Sequence, residues 1–142
     1  MSIVEEINEF YYRMAIYELE MMNGTDYYHG LSYNSLLYLN IIDQMEACTV
    51  SKIAEILHIT KSAVTVKVNE LVKQGLVVKE QSTEDKRVFY LRLNEDMDKI
   101  MKNYDHIFAK IEERLKEKYR DEELETFGKI LQEICKMEWR GM

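Results

Sequence analysis

Ser62, Val66, Asn69 and Lys73 recur at three- and four-residue spacing, which puts them on one face of a helix. Val64, Val68 and Leu71 fall on the opposite face, as a core-facing stripe does. Thr65 and Glu70 border the polar face, and Lys61 and Lys67 add charge along it. Such a face has the chemistry to meet a nucleic-acid duplex. In a major groove Ser62, Val66, Asn69 and Lys73 would reach base edges: an asparagine amide can pair with adenine and a valine can meet a thymine methyl, while Lys61, Ser62, Thr65 and Lys67 suit phosphates or adaptable base contacts. A solvated amphipathic helix would show the same pattern, so the helix alone does not decide. A second group follows at Thr83, Glu84, Asp85, Lys86 and Arg87. Arginine at a hairpin tip suits the negative potential of a minor groove. Asp85 stands two residues before Arg87, close enough to orient it by a charge-assisted bond. The competing reading is a plain charged hairpin.

The surrounding elements are those needed to hold these groups. The chain has no proline and five glycines among 142 residues, so long helices are expected. Ile3, Ile7, Phe10, Tyr11, Met14 and Tyr17 form a helical stripe, predicting a first helix over 3–22 that ends at Asn23–Asp26. A second helix follows Ser32, with Leu36, Leu37, Tyr38, Leu39, Ile41 and Ile42 nearly encircling it, a pattern that predicts burial on several sides. Thr49 caps a short third helix to His58, with Ile53, Ala54 and Leu57 inward. Thr60 caps a fourth over 61–74, and Gly75 ends it. Two short helices across a tight turn make a helix-turn-helix. The period then shifts to two. Leu76–Val78 opens one strand and residues 88–93 form another, with a polar turn at 82–86. Helix-turn-helix plus hairpin is a winged helix. Asn94 caps a long helix over about 95–119, roughly 37 Å at 1.5 Å per residue, and a last helix starts near Asp121. The terminal helices carry more apolar surface than a small core needs, which a second copy could cover.

Composition bounds the function. The longest apolar run is four residues, such as Leu36–Leu39, far short of the roughly 20 needed to span a bilayer. No membrane segment or secretory signal is expected, and two cysteines, Cys48 and Cys135, make no disulfide scaffold. A reducing cytoplasm is the expected compartment. Net charge is −7, but residues 49–93 hold eight basic and five acidic side chains, a net +3 inside a frame of −10. That asymmetry suits a protein presenting one face to a polyanion. His29, His58 and His106 lie in separate elements, and neither a nucleophile–base set nor a phosphate loop can be assembled. Neither catalysis nor a cofactor or metal is expected. Cys48 and Cys135 read as structural more readily than as redox-active. Tyr11, Tyr28, Tyr33, Tyr38 and Tyr104 are candidates to line a cavity, with ordinary packing as the alternative.

Ser62-Ala63-Val64-Thr65, Leu71, Gly75-Leu76-Val77 and Asp85-x-Arg87 resemble the helix and wing signatures of the MarR family of bacterial transcription regulators, and the likeness covers nearly the whole chain. The resemblance implies a mainly α, winged helix-turn-helix fold with N- and C-terminal dimerisation helices. Residues 1–142 would form one domain, with 1–30 and 95–142 dimerising and 31–94 binding DNA. It implies a homodimer whose two recognition helices read adjacent major grooves of a pseudo-palindromic operator, and a repressor responsive to small aromatic or phenolic effectors near the tyrosines. The sequence departs from the family at Val66 and Glu70, positions that are often basic there, and at Asn94, commonly threonine. With less positive charge facing DNA, modest affinity with strong salt dependence, or a distinctive operator, is expected. The alternative class is a winged-helix protein-interaction module that leaves DNA alone.

Overall fold

The computed structural model describes residues 1–24 and 31–142, without the side chains of 24 and 103–105. The elements in chain order are α1 (Ile3–Gly24), α2 (Tyr33–Gln44), α3 (Val50–Leu57), α4 (Lys61–Lys73), β1 (Val77–Gln81), β2 (Phe89–Leu93), α5 (Glu95–Lys116) and α6 (Asp121–Lys136). The described residues form two compact units, Met1–Met101 and Lys102–Met142.

Short polar side chains start the helices of the first unit. Ser32 accepts a bond from the Ser35 N–H at 3.0 Å, Thr49 from Lys52 at 3.2 Å, Thr60 from Ala63 at 3.1 Å, and Asn94 Oδ1 from Met97 at 2.7 Å. Each satisfies an amide that the first helical turn leaves unpaired. Left-handed residues end α3 and α4. His58 has φ 54°, and Gly75 has φ 77°. After α4 the Leu76 N–H reaches the Leu71 carbonyl at 3.0 Å and the Gly75 N–H reaches Val72 at 2.9 Å. This paired closure of a helix end needs a positive φ, where glycine carries no Cβ penalty.

β1 and β2 pair antiparallel with Val77 opposite Leu93 and Gln81 opposite Phe89. On the other edge of β2 the Leu91 N–H bonds the Cys48 carbonyl at 2.8 Å, so Cys48, just ahead of the Thr49 cap of α3, extends the sheet by one bridge. The core of this unit gathers Leu36 and Leu39 of α2, Ile53 of α3, Val64, Val68 and Leu71 of α4, and Met97 of α5, each almost wholly buried. In the second unit no residue of α6 is buried, and Phe127, Ile130 and Leu131 stay exposed. Leu115, Tyr119, Glu123, Leu124 and Phe127 line an apolar hollow of about 390 Å³ there.

Several boundaries differ from the sequence expectation. α1 continues through Asn23 and Gly24, since neither residue forbids a helical φ. β1 begins at Val77, not Leu76, because Leu76 is taken up in closing α4. β2 begins at Phe89 rather than Val88. Val88 instead closes the wing, its N–H on the Asp85 carbonyl at 2.9 Å. α5 stops at Lys116 rather than near Tyr119, where Lys118 and Tyr119 both turn their N–H groups to the Leu115 carbonyl. In α2 Leu36, Tyr38, Leu39 and Ile42 are buried, the burial on several sides that the pattern predicts, and Leu37 is exposed. Among the described residues no helix is long and apolar enough to cross a membrane.

Candidate nucleic-acid interface

The core fixes which way α4 faces. With Val64, Val68 and Leu71 each 0% exposed, the helix cannot rotate without opening the core. Ser62, Thr65, Val66, Asn69 and Lys73 are therefore held on the exposed side. Val66 is 70% exposed, an apolar side chain that the described residues leave mostly uncovered. Lys61 opens the helix, and its first turn contains no acid. The exposed start of α4 thus joins unpaired amides, a positive dipole end and a lysine, a combination that favours phosphate.

On α4, the sequence-predicted residues Lys67 and Asn69 have side-chain partners within the chain. Lys67 Nζ lies 3.5 Å from Glu70 Oε2, and the Lys67 side chain is only 15% exposed. Lys67 is thus set apart from the outward residues. Asn69 Oδ1 accepts a bond from Lys79 Nζ at 2.6 Å, tying α4 to β1. Lys79 lies in the basic segment 49–93, outside the helix and wing groups that the sequence singles out. Alternation along β1 puts Lys79 on the face of buried Val77, opposite Leu91, yet it is exposed there, and a contact ten residues away in sequence leaves no local signature.

The wing is ordered by its own side chains. Ser82 Oγ accepts from the Glu84 and Asp85 N–H groups at 3.2 and 3.3 Å, and Gln81 Nε2 donates to the Lys86 carbonyl at 2.8 Å. Asp85 Oδ1 accepts from the Arg87 N–H at 3.0 Å and from Nε at 3.1 Å, and Oδ2 accepts from Nη2 at 3.1 Å. The Arg87 side chain is nevertheless 90% exposed, so its outer surface stays open. These bonds from Arg87 hold the Asp85 carboxyl below the usual aspartate range. Lys86 is exposed beside it.

The tyrosines divide. Tyr38 is buried in the core, and burial raises its phenol pKa. Tyr33 is exposed and donates from Oη to Glu18 Oε2 at 2.8 Å. That bond, then burial and the nearby Glu18 and Tyr11, raise its pKa. Tyr11 is exposed on α1. Tyr28 lies outside the described residues, as does His29, and so does the side chain of Tyr104. Cys48 is fully buried, and burial pushes its thiol pKa up against a smaller opposing pull from Lys52, which keeps it a poor nucleophile. Cys135 is exposed. Among the described residues no group of three or more His, Cys, Asp or Glu could hold a metal.

The arrangement in the first unit can present an outward helix face and an ordered charged hairpin to a groove-bearing polyanion. The MarR family model matches residues 31–89, which run from the start of α2 into β2. HTH-type transcriptional regulator BilQ of Clostridioides difficile is 23% identical over 103 residues, 72% of this chain and 70% of its own. FabT of Streptococcus pneumoniae, solved in complex with DNA, superposes with a TM-score of 0.72 at 21% identity, covering 94% of this chain and 92% of its own. A MarR-like transcriptional regulator of Thermotoga maritima gives 0.66 at 23% identity, covering 96% and 99%.

Proposed function

We propose that this chain is a transcription regulator of the MarR family and that it acts as a homodimer on a pseudo-palindromic duplex operator, as a repressor released by a small ligand. The observation that carries the reading is the fixed rotation of α4. Three fully buried residues aim Val66, Asn69 and Lys73 outward, at the spacing a major groove admits. Lys61, Ser62 and Thr65 take phosphates at the helix start, and Lys86 and Arg87 of the wing take the adjacent backbone or minor groove. Asp85 sets the direction of Arg87. Lys67, mostly covered and paired with Glu70, adds charge to the field more than contact.

The apolar faces of the terminal helices support the dimer. Ile3, Ile7 and Phe10 on α1 and Phe127, Ile130 and Leu131 on α6 are all exposed in the single chain, and a second copy is the natural cover. Residues 1–30 and 95–142 then serve dimerisation, and residues 31–94 serve DNA. Two recognition helices about 34 Å apart match one helical turn. A ligand that prefers a dimer of different spacing lowers operator affinity by linkage. Tyr33, Glu18 and Tyr11 offer a phenol, a carboxylate and a ring that suit a small aromatic or phenolic effector. The chain works by binding rather than catalysis, in the cytoplasm where its operator lies.

A mobility-shift assay with the full chain at low salt, using the DNA upstream of its own reading frame, tests this. A complex that survives excess unrelated duplex is expected. Equal competition by unrelated duplex, or no complex, overturns the reading in favour of a protein-interaction module.

A further inference from the structure

Base recognition by asparagine depends on which end of its amide is free. Adenine offers an acceptor at N7 and a donor at N6, so a bidentate asparagine must supply both its nitrogen and its oxygen. Guanine offers two acceptors, N7 and O6, and takes donors alone. On α4, Asn69 Oδ1 already accepts from the Lys79 ammonium at 2.6 Å, a charge-assisted bond that fixes the amide against flipping. The amide nitrogen then faces away from Lys79 with its two donors, and the ammonium has two N–H groups beyond the one on Asn69. Both side chains are exposed. The pair is therefore a donor-only surface on the outward face of the helix, next along the helix from Val66.

We infer that Lys79 is a specificity-determining residue, which holds Asn69 as a donor and makes the pair select guanine over adenine at the base it meets. An adenine N6 amino group there would face donors only and leave its own hydrogens unpaired. Lys79 acts partly through Asn69, as a positioning residue, and partly through its remaining donors. The inference rests on the DNA-binding reading above.

The test begins with the full wild-type chain and a random duplex pool, which yields the base preference at each position. Guanine is expected at one position of each half-site, favoured over adenine about tenfold or more, as for a good bidentate pair. Lys79→Met keeps the stem and removes the donors. It should lose guanine preference at that position alone, with adenine rising, while other positions keep their preferences. Asn69→Ala should weaken the same preference, and the double variant should lose no more guanine preference than Lys79→Met alone. Lys79→Arg, which restores a charged donor to Oδ1, should restore it. Thermal melts of the variants should match wild type, since both residues are exposed. A wild-type adenine preference at the Asn69 position overturns the inference, as does a Lys79→Met profile unchanged at every position. So does a uniform loss of affinity without a change of preference, which marks Lys79 as a phosphate contact only. In all three cases the DNA-binding reading stands. A wild-type chain that enriches no sequence overturns both.

Discussion

Arg87 is locked to Asp85 two residues before it by three hydrogen bonds of 3.0–3.1 Å, one from its own backbone N–H and two from its guanidinium. Within the hairpin tip this fixes the direction of a side chain that is 90% exposed. An arginine so held loses little conformational freedom on meeting DNA.

Replacing that arginine should therefore weaken binding without changing what is bound. Arg87→Ala is expected to lower affinity for all duplexes alike and to reduce the slope of log affinity against log salt by about one per wing. Asp85→Ala should lower affinity by less, because the cation remains but its direction is lost. Fluorescence anisotropy titrations over a salt series read both. An unchanged slope in Arg87→Ala removes the wing from the contacts.

Acid should release the same contact. Arg87 lowers the folded-state pKa of Asp85, so the stabilisation is present above the ordinary aspartate value of about 4 and is lost as pH falls through the lower folded value. The wing should keep its order between neutral pH and about pH 4. Carboxyl chemical shifts of Asp85 should titrate with a midpoint below that of an unpaired aspartate. A midpoint at or above the ordinary value contradicts the Asp85–Arg87 pairing in solution.

Val66 separates recognition from stability. It is 70% exposed, so Val66→Ser should change folding free energy by no more than about 0.5 kcal/mol. Its loss of an apolar contact with a thymine methyl should reduce thymine preference at one position of the half-site. Denaturation curves and selection of bound DNA give the two readouts.

Leu71 is the opposite case. It is 0% exposed and helps set the rotation of α4. Leu71→Ala should cost about 2–5 kcal/mol, seen as a lower denaturation midpoint. Gly75→Ala meets no atom within 4 Å but sits at φ +77°, and should cost about 1–2 kcal/mol from backbone conformation alone. A Gly75→Ala midpoint equal to wild type shows that the α4 closure tolerates an ordinary residue.

The elements around α4 were legible because each carries a local signal. Ser32, Thr49, Thr60 and Asn94 each cap the helix that follows, Gly75 closes α4, and the period change after Gly75 marks the hairpin. The outward face of α4 followed from helical geometry once Val64, Val68 and Leu71 were assigned to the core. Contacts between elements left no such trace. The Lys79–Asn69 bond, the Leu91–Cys48 bridge and the Tyr33–Glu18 bond join residues ten, 43 and 15 positions apart, and only the folded chain brings them together. The end of α5 was misplaced because Glu117, Lys118 and Tyr119 are compatible with helix, and the break there comes from turn hydrogen bonds rather than from a glycine or proline.

Selection of bound duplexes from a random pool, followed by the mass of the purified complex in sedimentation equilibrium, bears most directly on the central claim. The account predicts an enriched inverted repeat with half-site centres about 10–10.5 base pairs apart, bound by two 17.0 kDa chains per duplex. An unenriched pool, or one chain per duplex on a site without symmetry, contradicts it.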